Sequence, residues 1–398
     1  MEWNIHDHTI YIVLAGSHAY GTSRPDSDVD MRGICIPPRE YFLGFEKNFE
    51  QFEGEYPRDA SVGGQGLVDR LASMVGRGIP QDEKIDSTVF GLRKFMKLAA
   101  DCNPNIIEIL FSDSCQVLVE PLMEELLASR DLFLSAKAKY TFCGYAQSQL
   151  KRIRTHRRWL LNPPARKPNR EEYGLSHRTV IPKDQMLAAE SLIKKKVGEW
   201  LFLDEELPRA VLDAVRRKTV MSICDMWAGL QGEAPVPLTV DEDMDVGRLS
   251  DAAGRLLGFS DNFLEYLDRE RRYKARLREY KQYQNWKKTR NPARAELEAK
   301  YGFDSKNAMH LVRLLKMSSE ILKEGKVVVK RPDADELLAI RNGAWSFDEM
   351  MEWSEKQHKE LDEIYENKTY VVPYKPNRKA IDRLCIDMVE KALLMEGR

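Results

Sequence analysis

Two strand-like segments joined by a small-residue turn open the chain and restrict its fold more than any other feature. The first, TIYIVLA at residues 9–15, is apolar, rich in β-branched residues and followed by Gly16, which is typical of a buried strand that enters a turn. The second, DVDMRGICI at residues 28–36, starts with alternating polar and apolar residues and ends at a Pro-Pro pair. The sequence therefore predicts two neighbouring strands at the start of a sheet.

The strand signals continue for about a third of the chain and then give way to helical ones. KIDSTVF at 84–90 reads as a third strand, and LRKFMKLAADC after it has helical spacing of apolar residues. The glycine-rich stretch from Gly54 to Gly78 has no clear periodicity, which favours a loop that is mobile or shaped by a ligand. From about Ser135 onward long helical patterns dominate. We predict an α+β protein with a sheet-and-helix domain at 1–134 and an all-helical domain at 135–398.

Composition narrows the class of protein. With 398 residues, of which 43% are hydrophobic, the chain can bury a sizeable core in two domains. It has no apolar run of about 18 residues and no basic-then-apolar start, so we expect a soluble cytoplasmic protein without a membrane partner. The six cysteines form no C-x-x-C pair and no zinc-like spacing, which predicts reduced thiols that serve mostly in packing.

The turn and the second strand carry the first candidate chemistry. Side chains i and i+2 of a strand share a face, so Asp28 and Asp30 bring two carboxylates together, an arrangement that suits Mg²⁺. Gly16 and Ser17 follow a strand and could hold phosphate oxygens with backbone N–H groups and a hydroxyl. Alone, an Asp-x-Asp pair usually marks a solvated strand edge. The joint pattern favours two-metal phosphoryl transfer.

The string Gly16-Ser-His-Ala-Tyr-Gly-Thr22, followed by Pro25, Ser27, Asp28, Asp30 and Gly33, resembles the DNA polymerase β-type nucleotidyltransferase superfamily and, more narrowly, its RlaP (RNA repair pathway DNA polymerase β) family. The segments at 92–111, 144–149 and 303–325 agree, whereas residues 151–294 contain no motif of that family. The resemblance implies a mixed sheet flanked by helices, an NTP substrate and two Mg²⁺ ions, with Mn²⁺ as the alternative.

The resemblance also implies a third carboxylate on a neighbouring strand, which would take the proton of the attacking hydroxyl or bind the second metal. Asp86 is the candidate, because alternation puts it on the strand face opposite Ile85 and Val89. Its rivals in the same part of the chain are Asp59, Asp82 and Glu83.

Two helix starts carry further candidates. Asn103-Pro104 reads as a helix cap, which leaves Glu108 as a minor site candidate. A helix from about 304 to 324 would place Lys306, His310 and Arg313 in one stripe. Such a stripe is usually a solvated face, but the resemblance falls on these residues and implies nucleotide binding.

The middle of the chain is basic and aromatic. Residues 269–290 hold ten Lys or Arg against two acids, and a second basic cluster lies at 151–158. The pattern favours single-stranded nucleic acid, since cations neutralise phosphates and aromatic rings stack on bases. The alternative is a solvated helix whose charges answer the acidic runs at 204–206 and 241–245. The candidate RNA-binding residues are Arg152, Arg154, Arg157, Arg158, Arg271, Arg272, Lys274, Arg278, Tyr280 and Trp286.

The leading interpretation is a metal-dependent nucleotidyltransferase that moves NMP from an NTP to an RNA end, such as a 3′-hydroxyl of tRNA or damaged RNA. Transfer to a protein hydroxyl or to a small molecule is the alternative within the superfamily, and a non-catalytic RNA-binding scaffold is the alternative outside it. Asp28, Asp30 and Ser17 argue against the scaffold, and the basic middle favours RNA.

Overall fold

A computed structural model of the chain describes residues 3–25, 27–62, 64–200 and 242–396. These residues form two compact units, one built from 1–161 with 291–398 and the other from 162–290. The part of the helical region at 201–241, with the acidic run at 204–206 and Cys224, lies outside the described residues.

A five-stranded mixed sheet is the centre of the first unit and confirms the predicted fold class. The strands are β1 Thr9–Leu14, β2 Val29–Cys35, β3 Gln51–Glu55, β6 Ile85–Gly91 and β7 Cys115–Val117. Their order is β3-β6-β2-β1-β7, in which β2 and β6 run parallel and the other neighbours run antiparallel. A separate two-stranded hairpin is formed by β4 Ser61–Val62 and β5 Gln65–Gly66, which lie between β3 and β6 in the sequence.

Helices account for most of the remaining described residues. In addition, 3₁₀ turns occur at Arg130–Phe133 and Arg170–Tyr173. The α-helices are α1 Ile5–His8, α2 Gly16–Tyr20, α3 Glu40–Leu43, α4 Leu67–Val75, α5 Leu92–Ala100, α6 Pro104–Phe111, α7 Glu120–Ala128, α8 Ala138–Leu161, α9 Lys183–Trp200, α10 Glu242–Leu256, α11 Asp261–Thr289, α12 Pro292–Tyr301, α13 Ser305–Glu324, α14 Ala334–Arg341, α15 Phe347–Glu366 and α16 Arg378–Glu396.

The two faces of the sheet bury different partners. On one face Val29 and Met31 of β2 pack with Leu67 and Leu71 of α4. On the other face Ile34 belongs to a larger core that includes α5, α6, α8 and α13. Helices α8 and α13 also pack against each other. Both helices therefore belong to the same compact unit as the sheet. The first compact unit thus comprises residues 1–161 together with residues 291–398.

The glycine-rich stretch after Gly54 is more ordered than the sequence predicts. It contains the hairpin and the nine-residue helix α4. Leu67 and Leu71 stand one helical turn apart and are both fully buried against the sheet, so tertiary packing fixes a segment whose own pattern is too short to predict a helix.

The second unit has its own small core. Met186, Ile193 and Val197 of α9 pack with Leu249 of α10 and Leu264 of α11. These contacts account for the spacing of the apolar residues along α9 and in the first turns of α11.

The described cysteines are packing residues, as expected. Cys35, Cys102 and Cys143 are buried, and burial raises the pKa of the Cys35 and Cys102 thiols to about 12. Among the helices described, none is long and apolar enough to cross a bilayer.

Candidate active site

The candidate carboxylates meet on one face of the sheet. In β2 the side chains of Val29 and Met31 are fully buried, so Asp30 and its neighbour Arg32 point to the opposite face. The parallel register pairs Asp30 directly with Asp86 of β6. Asp28 lies just before β2 and is exposed. The paired strands β2 and β6 thus place Asp30 beside Asp86, and Asp28 immediately precedes β2.

The turn after β1 is seated against Asp30. The backbone N–H of Ala15 donates to the Asp30 carbonyl over 2.9 Å, and Gly16 follows in a left-handed conformation with φ +61°. A Cβ at Gly16 would stand 2.5 Å from Oδ2 of Asp30, so only glycine allows both this backbone and this approach. Ser17 is half-buried in the first turn of α2.

The electrostatics of Asp30 fit a site that takes a cation. Burial raises its pKa most strongly, Arg32 opposes this rise, and Asp86 and Asp28 add to it. Asp86 and Asp28 lie close enough to raise the pKa of Asp30, and a metal ion between such carboxylates would stabilise their charged forms. Asp28, Asp30 and Asp86 are therefore the residues that would hold Mg²⁺, whose preferred ligands are oxygens.

Arg32 is a site residue that sequence reasoning missed. Its guanidinium donates to the carbonyl oxygens of Met31, over 2.8 Å, and Asp86, over 3.3 Å, and one nitrogen stands 4.0 Å from Oδ2 of Asp86. The position two residues after Asp30 was the available signal, because it places Arg32 on the same face. The positive charge of Arg32 thus partly offsets the negative charges of Asp30 and Asp86.

The rivals for the third carboxylate occupy different surroundings. Glu83 accepts two hydrogen bonds from Arg77, at 2.7 and 2.8 Å, and this contact lowers its pKa. Asp82 is exposed in the turn before β6. Asp59 is likewise exposed in a turn. Among these four carboxylates only Asp86 is in strand register with Asp30, which favours Asp86 for the role.

A cavity of about 330 Å³ opens beside Asp30. It lies between the sheet, α2 and α6, and its wall combines charged, amide and aromatic side chains, of which Asp30 and Glu108 were candidates from the sequence. Besides Asp30 and Arg32, it is lined by Tyr20, Gln51, Glu53, Thr88, Phe90, Asn105 and Glu108.

Helix α13 brings cations to the carboxylates. Asp304 caps it, accepting from the Asn307 N–H over 3.0 Å, and Lys306 in its first turn is half-buried. Burial lowers the pKa of Lys306 most, Arg294 and Arg341 lower it further, and Asp30 and Asp28 raise it. The carboxylates are thus close enough to act on Lys306. Sequence reasoning missed Arg294 and Arg341.

His310 and Arg313 lie deeper than a solvated stripe would. Burial lowers the pKa of His310 well below its usual range, and Arg313 and Lys306 add to this effect, so the ring is neutral at pH 7. Arg313 is only 5% exposed and forms an ion pair with Glu108. Nucleotide binding by Arg313 through a phosphate contact, which the resemblance implies, stays a prediction.

Tyr20 completes the buried contact of Arg313. The guanidinium lies 3.7 Å from the centre of the Tyr20 ring, and the Tyr20 hydroxyl donates to Glu108 over 2.6 Å. The cluster ties α2, α6 and α13 together behind the Gly-Ser turn. At the start of α6 the predicted cap is confirmed, since Asn103 accepts from the Asn105 N–H over 3.1 Å.

A second group of possible metal ligands consists of His156, Glu298 and Asp304. Their donor atoms all lie within 4.8 Å of one another, which no other such group does among the described residues. His156 Nδ1 stands 3.3 Å from Glu298, and Asp304 has Arg294 at 3.9 Å and donors from Asn307. These partners make it a network of ion pairs and hydrogen bonds that joins α8, α12 and α13.

The candidate RNA-binding residues fall into two groups, one in each unit. On α8, Arg152, Arg154 and Arg158 are exposed, while Arg157 lies 4.1 Å over the Phe347 ring.

On α11 the basic residues mostly reach solvent. Arg271 and Arg278 are exposed, Lys274 and Tyr280 are partly buried, and Arg272 forms an ion pair with Asp268 at 2.8 Å. Trp286 carries Arg290 over its ring at 4.5 Å.

Comparison with known proteins identifies the relatives of the N-terminal part. Residues 1–161 match the RlaP family, described as the RNA repair pathway DNA polymerase beta family. The match supports the predicted family for residues 1–161 and contains all three candidate carboxylates, whereas the segment 303–325 lies outside it.

A further relative comes from Enterobacteria phage T4. Over 139 residues the chain is 27% identical to an "Uncharacterized 38.9 kDa protein in nrdC-mobD intergenic region", an alignment that spans 34% of this chain and 35% of the phage protein. No solved structure matches the chain.

Proposed function

We propose that this protein, whose first 161 residues match a polymerase β-type nucleotidyltransferase family, transfers NMP from an NTP to a hydroxyl at an RNA end. Pyrophosphate would be the second product. The proposal combines a phosphoryl-transfer site in the first unit with basic, aromatic helices that suit an RNA acceptor.

One observation supports the reaction class above the others. A Gly-Ser turn is packed so closely on Asp30 that a Cβ at Gly16 would stand 2.5 Å from its carboxylate oxygen Oδ2, and Asp86 stands beside Asp30 on the parallel strand. Phosphoryl transfer needs a phosphate cradle next to metal-binding carboxylates, and these three residues provide both within one sheet edge.

The chain's own residues would divide the work as follows. The Ser17 hydroxyl and the N–H groups of the turn would hold phosphate oxygens, and Lys306 would neutralise charge on the triphosphate. Asp28 and Asp30 would bind Mg²⁺, and Asp86 would bind a second ion or accept the proton of the attacking hydroxyl. Two bound ions would supply activation of that hydroxyl and stabilisation of the leaving pyrophosphate.

RNA is favoured as acceptor by the charge of the helices. Arg152 and Arg154 of α8 and Arg271 and Arg278 of α11 are exposed, and the sequence of α11 also contains Tyr280 and Trp286. A tRNA or a damaged RNA 3′-end fits this chemistry. Transfer to a protein hydroxyl remains the alternative, since the carboxylate site does not distinguish the acceptors.

Labelling separates these acceptors directly. The protein is incubated with Mg²⁺ and each α-³²P-labelled NTP, together with total RNA or total protein, and the labelled pool is identified. We expect label in RNA, and none with Asp28→Asn or Asp30→Asn. Asp82→Asn serves as the matched control, because Asp82 is an exposed carboxylate close in sequence but outside the strand register. Label in protein alone would reject RNA, and activity that survives both site variants would reject the site.

A further inference from the structure

A second basic surface lies on the first unit, away from the residues that the sequence singles out. A cavity of about 480 Å³ opens between α5 and α16, and Arg93, Lys97, Arg378 and Lys379 line it with Asp382 as its one acid. All five side chains project from exposed positions on these two helices. The cavity is therefore open to solvent and strongly cationic.

An aromatic cavity adjoins it through a shared residue. Arg378 also lines a cavity of about 440 Å³ whose wall contains Tyr140, Tyr365, Tyr374 and Lys375. The Tyr365 ring lies 5.0 Å from Tyr140 and 6.4 Å from Tyr374, measured between ring centres. Tyr374 is 56% exposed, so a large aromatic ring faces solvent beside several cations.

The charges of this surface are largely uncompensated. Asp101 pairs with Lys137, at 2.6 Å, and with Arg378 where the two cavities meet. Among the described residues, no carboxylate lies within ion-pairing distance of Arg93, Lys97 or Lys379. On α11, by contrast, Arg269, Arg272 and Arg276 each pair with an acid of the same helix.

We propose that these adjoining cavities bind single-stranded RNA, with phosphates on Arg93, Lys97 and Lys379 and an unpaired base against Tyr374. Uncompensated cations in an open cavity can neutralise successive phosphates, and an exposed ring in the adjoining cavity can stack on a base of any sequence. The proposal rests on the proposed function in taking RNA as acceptor, and it adds a binding surface on the catalytic unit itself.

Binding is measured without NTP, which separates this proposal from the proposed function. The anisotropy of a fluorescein-labelled single-stranded oligoribonucleotide is followed as the full chain is added, at several salt concentrations. Arg93→Glu with Lys379→Glu should flatten the log–log salt dependence by about 1.4, since each phosphate contact contributes about 0.7. Tyr374→Ala should weaken binding between about fivefold and about 150-fold, with little effect on the slope.

A matched double variant controls for net charge. Lys356→Glu with Lys359→Glu makes the same charge change at exposed positions on α15, and it should bind almost as wild type does. Asp30→Asn should also bind normally, because the assay needs no catalysis. Equal weakening by the control pair, wild-type affinity of the Arg93/Lys379 variant, or displacement of RNA by polyglutamate as effectively as by unlabelled RNA would overturn the proposal.

Discussion

At the scale of single residues, Gly16 couples backbone conformation to the chemistry of Asp30. The φ of +61° favours glycine, and the space that a Cβ would take is held by the Asp30 carboxylate. The contacted atom is the end of a side chain that can rotate. An alanine at this position would therefore move the carboxylate more than the backbone, and its effect on activity should exceed its effect on stability.

This difference is testable with two alanine variants. Gly16→Ala should lower the stability by about 1 to 2 kcal/mol, the cost of a left-handed alanine, and should remove most nucleotidyl transfer. Gly76→Ala is the matched control, because Gly76 has φ +76° and nothing within 4 Å of a Cβ. It should lose similar stability and keep its activity. Equal activities in the two variants would contradict the role of Gly16. Denaturant unfolding and transfer assays provide both measurements.

The raised pKa of Asp30 makes a second residue-scale prediction. Since burial and the neighbouring Asp86 and Asp28 raise its pKa above that of the unfolded chain, the ionised carboxylate destabilises the metal-free fold, and this cost appears as pH rises above about 4. Asp30→Asn should therefore melt higher than wild type at pH 7 without Mg²⁺. The advantage should shrink as pH falls toward 4.

Added Mg²⁺ should reverse the order of the two melting temperatures. The ion stabilises the wild-type carboxylates by mass action, whereas Asp30→Asn has lost a ligand and should respond weakly. Thermal melts with and without Mg²⁺ measure this. A variant that melts lower than wild type at pH 7 without metal would show that Asp30 is held by favourable contacts.

At the scale of elements, the stripe of α13 is half-buried at Lys306 in its first turn and fully enclosed two turns later at Arg313. Its buried Arg313 pairs with Glu108 of α6, so Arg313→Ala would leave a carboxylate buried and unpaired. We expect a loss of about 3 to 5 kcal/mol of stability. Replacing both partners, as Arg313→Met with Glu108→Gln, should restore most of it. If Arg313→Ala instead raises KM for NTP with unchanged unfolding, the phosphate contact predicted from the sequence is the correct role.

Lys306, in the first turn of α13, gives a second prediction at this scale, which concerns NTP kinetics. Lys306→Ala should raise KM for NTP or lower kcat, through loss of a charge close to Asp28 and Asp30. Lys323→Ala on the same helix is the control, because Lys323 pairs with Glu360 of α15 and should leave the kinetics unchanged. Steady-state kinetics with varied NTP distinguish the two, and identical constants would return Lys306 to a structural role.

At the scale of the whole molecule, the chain places basic helices in both of its compact units. The helix α11 of the second unit carries Arg271 and Arg278 at exposed positions. If α11 follows a phosphate backbone, Arg271→Glu with Arg278→Glu should flatten the log–log salt dependence of RNA binding by about 1.4. NTP binding should be retained. An unchanged salt dependence would assign α11 to packing and solvation.

The sequence determined the features that arise within one segment. The alternation of β2, the cap Asn103 and the helix after Asp304 follow from local spacing and capping chemistry, and the structure confirms each. The nearness of Asp28 to Asp30 was predicted from the same alternation, and the structure places Asp28 just before β2, close enough to act on Asp30. Helix α4 was missed because a nine-residue pattern carries too little signal without its packing partners.

Only the tertiary structure decided which distant side chains meet. The register that sets Asp86 beside Asp30 depends on the pairing of β2 with β6, and the burial of Arg313 depends on Glu108, which lies 205 residues earlier in the chain. Helical periodicity places Lys306 and Arg313 in one stripe but cannot say what covers it. Burial and partner are properties of the packed core, and in this fold they give Arg313 an internal ion pair with Glu108.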